Sequence, residues 1–400
     1  MVEDRMREGR IGVRLSDAQR RNWLKLIRSE NVGPVTFRSL VNHFGSAAAA
    51  LDALPELARR GGARGKIRVA GDAEIDAELA AAQAAGARFV ALGEPDYPKY
   101  LRAVDGPPPL IAMRGGVDSL LGEGGRAPGF FDTHLAERPT AAIVGARNAS
   151  IAGRKFAGFL AKGAGEAGFI IVSGLARGID AAAHEAAIAT GTIAVLAGGL
   201  DRLYPPEHAG LADRIVAGGG AIVSEMPFGW EPRARDFPRR NRLISGMSLG
   251  VVVVEAALKS GSLHTARFAG EQGRDVLAVP GSPLDPRAEG CNELIRSGAT
   301  LISRVEHLLE ALNPLVGWEP PASEAEEPEQ FTTEGRLPDA SQTEKARRLI
   351  LDALSATPTA TDDILRATGV SAATLHLVLL ELDLAGRLER HGQGKVGLVY

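Results

Sequence analysis

Cysteine is almost missing from this chain. Cys291 is the only one in 400 residues, which excludes an intramolecular disulfide framework and any multi-cysteine zinc site and fits a reducing cytoplasm. Aromatic residues make up only 5%, while 48 glycines and abundant alanine suit tightly packed α/β layers and loops where backbone comes close to a ligand. No apolar run reaches the length of a membrane span, and the opening MVEDRMREGR mixes charges without the apolar centre of a secretory leader. GxGxxG and GxxxxGK[ST] are both absent, so neither dinucleotide binding nor P-loop hydrolysis has its usual signature. Paired histidine ligands, a cysteine-nucleophile motif and a Ser-His-Asp set are absent too. No cofactor or metal is expected.

The length favours two to four domains. The net charge of -3 conceals a division: between Glu319 and Glu344 stand eight acidic residues against Arg336 alone, leaving the rest of the chain net positive. With Pro320, Pro321, Pro328 and Pro338, the tract at 314–342 reads as a solvated linker. Ahead of it, residues 1–80 hold apolar positions at helical spacing, Trp23, Leu24, Ile27 and then Phe37, Leu40, Val41 and Phe44. NVGPVTFRSLVNHFG joins two helices through Gly33-Pro34 and resembles a helix-hairpin-helix, whose turn amides can hold a DNA phosphate. Beyond the linker, 343–400 shows three short helical patterns and a β-hairpin, a winged-helix arrangement. Its third helix, SAATLHLVLLELDLAG, has no Lys or Arg and carries Glu381 and Asp383, which argues against major-groove reading.

Residues 81–313 alternate short apolar runs with helix-length segments: AAIVG, FIIVSG, TIAVLAG, AIVSE, GVVVVEA, DVLAVPG and ATLIS. Such runs predict a doubly wound, Rossmann-like parallel sheet, with the ligand beyond the carboxyl ends of the strands. The residues just past each run are therefore the candidates. In GARNAS, Gly145 permits a tight turn, Arg147 offers a guanidinium and Ser150 can cap a helix whose amides face an anion. SGLARGID supplies Ser173, Gly174 and Arg177, with Asp180 as a cap and His184 as a packing residue. Gly198, Gly199 and Asp201 sit at the tip of AGGLDRLYPPEH, and Lys259, Ser260, Gly261 and Ser262 stand before another helix. The densest charge lies in FPRRNRLISG, where Arg239, Arg240 and Arg242 flank Asn241. Guanidinium forks bind phosphate oxygens in pairs, so a polyanion is the expected partner, with structural ion pairing as the competing explanation.

Together GARNAS, SGLARGID, TIAVLAGGLDRLYP, FPRRNRLISG, VVEAALKSGSLHTA and LAVPGSPLDPRAEGCNELIRSGA resemble the DNA-processing protein A family, DprA or Smf. DYPKYLRAVDGPPPLIAMRG looks like the family's lead-in, and the resemblance extends over most of the chain. It implies a non-catalytic cytoplasmic homodimer that binds single-stranded DNA taken up in natural transformation, protects it and loads the RecA recombinase. By motif, Gly145, Arg147 and Ser150 would hold one phosphate beside Ser173, Gly174 and Arg177, and Arg239, Arg240 and Arg242 would form a positive wall. The chain departs from the family pattern at Ala146, at His264 and at Pro206, where many relatives carry a lysine that Arg202 or Lys259 would have to replace. The segment from Gly116 to Arg138 looks like an insertion. Two other functions remain: a nucleotide-acting enzyme of the phosphoribohydrolase-like fold, with Glu225 or Glu255 as its acid, and a pure interaction scaffold.

Overall fold

A computed structural model describes residues 14–116, 138–317, 340–391 and 394–399. The bulk of the insertion and of the acidic tract expected from the sequence lies outside the described residues.

The first described helix, α1 (Asp17–Ile27), starts at a capping box in which Ser16 and Gln19 satisfy each other's exposed amides. Helix α2 (Pro34–Phe44) begins with Pro34 and ends at Gly45, whose φ of 76° favours glycine. Helix α3 (Ala47–Arg60) is capped by Ser46, and Trp23 meets Phe37 edge-on at 5.0 Å between ring centroids. Helix α4 (Asp72–Ala84) follows.

The chain then builds a nine-stranded sheet from β1 (Ala87–Ala91), β2 (Leu110–Gly115), β3 (Thr140–Gly145), β4 (Ile170–Ser173), β5 (Thr192–Val195), β6 (Ala221–Ser224), β7 (Gly250–Val254), β8 (Asp275–Ala278) and β9 (Thr300–Leu301). The spatial order is β1-β2-β6-β5-β4-β3-β7-β8-β9. Strands β3 to β9 pair in parallel, whereas β2 pairs antiparallel with both β1 and β6. The chain winds outward from β3 through β4, β5 and β6, then returns to the other side of β3 with β7. The order reverses between β3 and β7, which is where an open α/β sheet leaves its ligand crevice. Helices α5 (Ile151–Glu166), α6 (Ile179–Ala187), α7 (Ala209–Ala217), α8 (Asp236–Gly246), α9 (Ser262–Glu271), α10 (Glu289–Arg296) and α11 (Val305–Leu312) connect or flank these strands. Ala157, Leu160, Ala161 and Ala164 of α5 pack on Ile143, Ile171 and Val252 in one buried cluster. Small residues on α5 let it lie close to the sheet.

The C-terminal module comprises α12 (Ala340–Ala353), β10 (Thr359–Ala360), α13 (Thr361–Thr368), α14 (Ala372–Leu384), β11 (Leu388–His391) and β12 (Lys395–Leu398). Its strands form a three-stranded antiparallel sheet, the wing. Leu375, Val378, Leu379 and Leu382 of α14 bury themselves in this module's core.

Contacts gather the described residues into two compact units, one of residue 14 with 78–116 and 138–317, and one of 15–77 with 340–391 and 394–399. Within the second, α14 packs on α2 and α3. Leu377, Leu380 and Leu384, off the module's own core, are also buried. Thr36 donates to Asp383 at 2.6 Å, and Asn31 donates to the Leu384 carbonyl at 3.0 Å. A Cβ on Gly61 would stand 1.9 Å from the Glu381 carbonyl oxygen, so the close approach requires glycine. The helix placed to read DNA in other winged helices carries buried leucines on more than one face because its own module covers one and α2 and α3 cover another.

Candidate nucleic-acid interface

A cavity of about 520 Å³ opens at the carboxyl ends of β3 and β7. Gly145 ends β3 there, and a Cβ on it would fall 1.8 Å from the Val254 carbonyl oxygen. Arg147 and Asn148 follow on an exposed loop. Arg147 lays its guanidinium 5.0 Å from the centroid of Phe237, a cation-π stack. Across the cavity, Lys259, Ser260, Gly261 and Ser262 lead into α9, and the Ser260 and Ser262 hydroxyls are 2.8 Å apart. Asn241 fixes this turn by donating to the Gly261 carbonyl at 3.1 Å. Gly174 and Arg177 border a smaller adjoining recess with Arg147, Phe237 and Tyr204. Thus the loops after β3, β4 and β7 and the start of α8 converge, as the winding of the sheet requires.

Other residues singled out in the sequence lie elsewhere or face inward. Ser150 caps α5 by accepting from the Gly153 amide at 2.8 Å, but its hydroxyl and its amide both donate to Glu255. The helix N-terminus expected to cradle a phosphate is therefore filled by the chain's own carboxylate. Ser173 is fully buried and donates to the Ile143 carbonyl at 2.6 Å, which ties β4 to β3 and removes the hydroxyl from the site. Gly198 accepts from Ser224, and Gly199 donates to the Trp230 carbonyl. Asp201 accepts from the Gly229 amide at 2.8 Å. These three brace the loop after β6 and do not border the cavity.

The arginine cluster requires the largest correction. FPRRNRLISG is the body of α8, not a loop, so its consecutive arginines point in different directions. Arg240 is buried, donating to the carbonyls of Gly174 and Val195 and to the Asn241 side chain. It joins the ends of β4 and β5. Burial lowers its pKa to about 10, with Asp180 opposing the shift, so it stays cationic at neutral pH. Arg242 and Arg239 both donate to Glu225, whose side chain is only 5% exposed. Arg240 borders the cavity and its recess but is only 6% exposed, and with backbone carbonyls holding its guanidinium and a buried carboxylate holding that of Arg242, the two do not form the outward wall expected of them. Arg239 remains 47% exposed while paired.

The remaining titratable groups are equally enclosed. Asp180 accepts from the amides of Gly174 and Ala176, and burial raises its pKa against the pull of Arg240. His184 is fully buried between the Leu175 amide and the Thr192 hydroxyl, and burial drives its pKa down to about 3. This neutral packing role is the one expected from its isolation in the sequence. Arg177 pairs with Glu207, and Arg202 lies 3.2 Å from Glu231. Among the described residues Lys259 and Arg147 make no salt bridge, though Arg147 is near enough to the buried Asp180 to oppose the rise of its pKa. Of the two substitutes considered for the missing lysine at Pro206, only Lys259 borders the cavity.

Sequence reasoning missed Tyr204 and Phe237. Tyr204 is 47% exposed and meets Phe237 edge-on at 5.6 Å, so a sparse aromatic content still supplies a pair of rings beside Arg147. Their nearness to the arginine motifs in LDRLYPP and FPRRN was the available signal. Glu255 was considered only as an acid. Its φ of 55°, uncommon outside glycine, turns its carboxylate back onto α5.

Comparison with known proteins agrees with the sequence reading. Residues 130–313 match the DNA recombination-mediator protein A family, 17–81 a DprA-like N-terminal HHH domain and 334–394 a DprA winged helix domain. The chain is 39% identical over 284 residues to Protein Smf of Escherichia coli (strain K12), covering 70% of this chain and 71% of that protein. It is 31% identical over 408 residues to Protein Smf of Synechocystis sp., covering 93% and 97%. The X-ray structure of DNA processing protein A from Streptococcus pneumoniae superimposes with a TM-score of 0.58 at 31% identity, covering 74% of this chain and 98% of that one. On sequence, fold and domain composition alike, the chain belongs to the DNA-processing protein A (DprA/Smf) family.

Proposed function

We propose that this protein binds single-stranded DNA at the crevice between β3 and β7 without altering it chemically. The observation that carries this is an asymmetry of partners. Arg147 and Lys259 face the cavity without a salt bridge, while Asp180, Glu225 and Glu255 are held by the chain's own amides, hydroxyl and guanidiniums. Free cations suit phosphodiesters. Carboxylates already engaged on both oxygens, as Glu225 and Glu255 are, favour binding over glycosidic hydrolysis. Tyr204 and Phe237 offer faces on which a base can stack, a contact that tolerates any sequence.

In the fuller reading, implied by family membership, the protein acts in the cytoplasm as a homodimer that protects DNA entering by natural transformation and passes it to RecA. Among the described residues no single helix is long and apolar enough to cross a membrane. The decisive experiment is an anisotropy titration with single- and double-stranded oligonucleotides over a salt series. Tighter binding of the single strand, with affinity falling steeply as salt rises and weakened by Arg147→Ala, is expected. Equal affinity for both forms, or indifference to salt, would overturn it. Tyr204→Ala should cost about 1–3 kcal/mol of single-strand affinity. Light scattering and RecA pull-down address the two partners.

A further inference from the structure

Arg147 stands at a junction. One side of it faces the cavity already described, and the other opens onto a groove of about 850 Å³ between α5 and α6. The floor of this groove is Ala181, Ala182 and Ala186. One wall carries Arg154 and Lys155, both exposed on α5. The other carries Arg177 and Glu185. Arg177 is paired with Glu207, and Glu185 lies 3.3 Å from Arg214. Arg154 and Lys155 have no carboxylate partner among the described residues. They project from α5 about one helical turn beyond the Ser150 cap. Ile151, 67% exposed, lies at the mouth of the groove.

We propose that this groove is a second stretch of the nucleic-acid track, in which Arg154 and Lys155 each bind a phosphate of the strand that leaves the crevice past Arg147. The inference rests on the single-strand reading given above. Three features fit that occupant. The groove is continuous with the crevice through a shared arginine, so one chain can occupy both. Its two unpaired cations match a polyanion and not a neutral peptide. Its floor is apolar and without hydrogen-bonding side chains, which accommodates bases without selecting among them.

The test uses the full chain with two probes, a fluorescent tetrathymidylate and a fluorescent oligothymidylate of about fifteen nucleotides, lengths that bracket common single-strand site sizes. Arg154→Gln with Lys155→Gln keeps good helix-forming residues at exposed positions. Removing two phosphate contacts should make the salt slope for the long probe shallower by about 1.4, since each contributes about 0.7 on a single strand. Between about 50 and 200 mM salt the wild-type advantage should then shrink about sevenfold. The tetranucleotide should bind the variant as it binds wild type. Glu185→Lys should steepen the long-probe slope. Equal slopes for wild type and the double variant on the long probe would overturn the proposal. Failure of the crevice reading would look different, because the tetranucleotide would then ignore Arg147→Ala.

Discussion

Arg240 and Arg147 both lie against Phe237, 5.9 and 5.0 Å from its ring centroid, and their alanine variants should fail in opposite ways. Removing the Arg240 side chain deprives two buried carbonyls, those of Gly174 and Val195, of a donor, at about 1–3 kcal/mol each. Loss of the two buried methylenes beyond Cβ adds about 2 kcal/mol. Against this, burial holds the guanidinium at a pKa of about 10 instead of 12.5, so deleting the charge returns about 3 kcal/mol. The balance is a destabilisation of about 3 kcal/mol, or a melting temperature lower by about 6–12 °C for a domain of this size. Arg147 is exposed, so Arg147→Ala should leave stability within about 0.5 kcal/mol while making the salt slope for single-stranded DNA shallower by about 0.7. Calorimetry and anisotropy on the same preparations separate the two. Below its melting point Arg240→Ala should keep the wild-type slope. If it instead melts like wild type and loses slope, its guanidinium reaches a phosphate and the internal bracing assigned to it is wrong.

His184 has a folded pKa near 3 against an ordinary 6.5, so below pH 6.5 the unfolded chain takes up a proton that the folded chain refuses. Its contribution is complete above that pH and falls by about 2 kcal/mol on going to pH 5; a melting curve for wild type that loses no more stability than His184→Asn over this range would contradict it. Glu255→Ala frees the Ser150 amide and hydroxyl at the start of α5 and should lower stability by about 2 kcal/mol while opening that helix N-terminus to an anion, so DNA affinity should not fall. Base release from nucleoside monophosphates by wild type, lost in that variant, would instead revive the hydrolase. Gly61→Ala places a methyl 1.9 Å from the Glu381 carbonyl and should push α14 off α3. Hydrogen exchange along α14 should accelerate, and unchanged protection would refute the docking.

The central parallel strands, β3 to β7, were legible because each is buried on both faces and therefore reads as an unbroken apolar run, often ending in glycine or serine. Strands β1 and β2 were not singled out. They pair antiparallel at one edge, without the crossover helices that mark the others, and β2 ends in Met-Arg-Gly. Within the site, local motifs disclosed which loops would meet but not which way their side chains face. The pairing of Ser150 with Glu255 spans 105 residues, and nothing local announces it. In α8 the misreading was one of period: taken as a loop, three arginines are one patch, but on a helix adjacent residues lie about 100° apart. Arg240 then turns into the core as Arg239 turns outward. The basic stretch was visible, and its geometry was not.

Carboxylates filling the backbone amide sites explain what kind of ligand remains. Around the crevice Glu255 occupies the Ser150 amide and Asp180 those of Gly174 and Ala176. Free amide clusters of this kind would grip a terminal phosphate dianion and favour mononucleotides. With them filled, binding falls to separate exposed side chains, each contributing modestly and each screened by salt. Such contacts reach useful affinity only when one ligand makes several at once, so that every contact after the first is intramolecular. A polynucleotide meets that condition and a mononucleotide does not. Nucleoside monophosphates should therefore displace a bound oligonucleotide poorly even at concentrations far above it, and efficient displacement would mean that one of the filled amide sites opens. The same arrangement lets contacts break one at a time, which suits a protein that must surrender its strand.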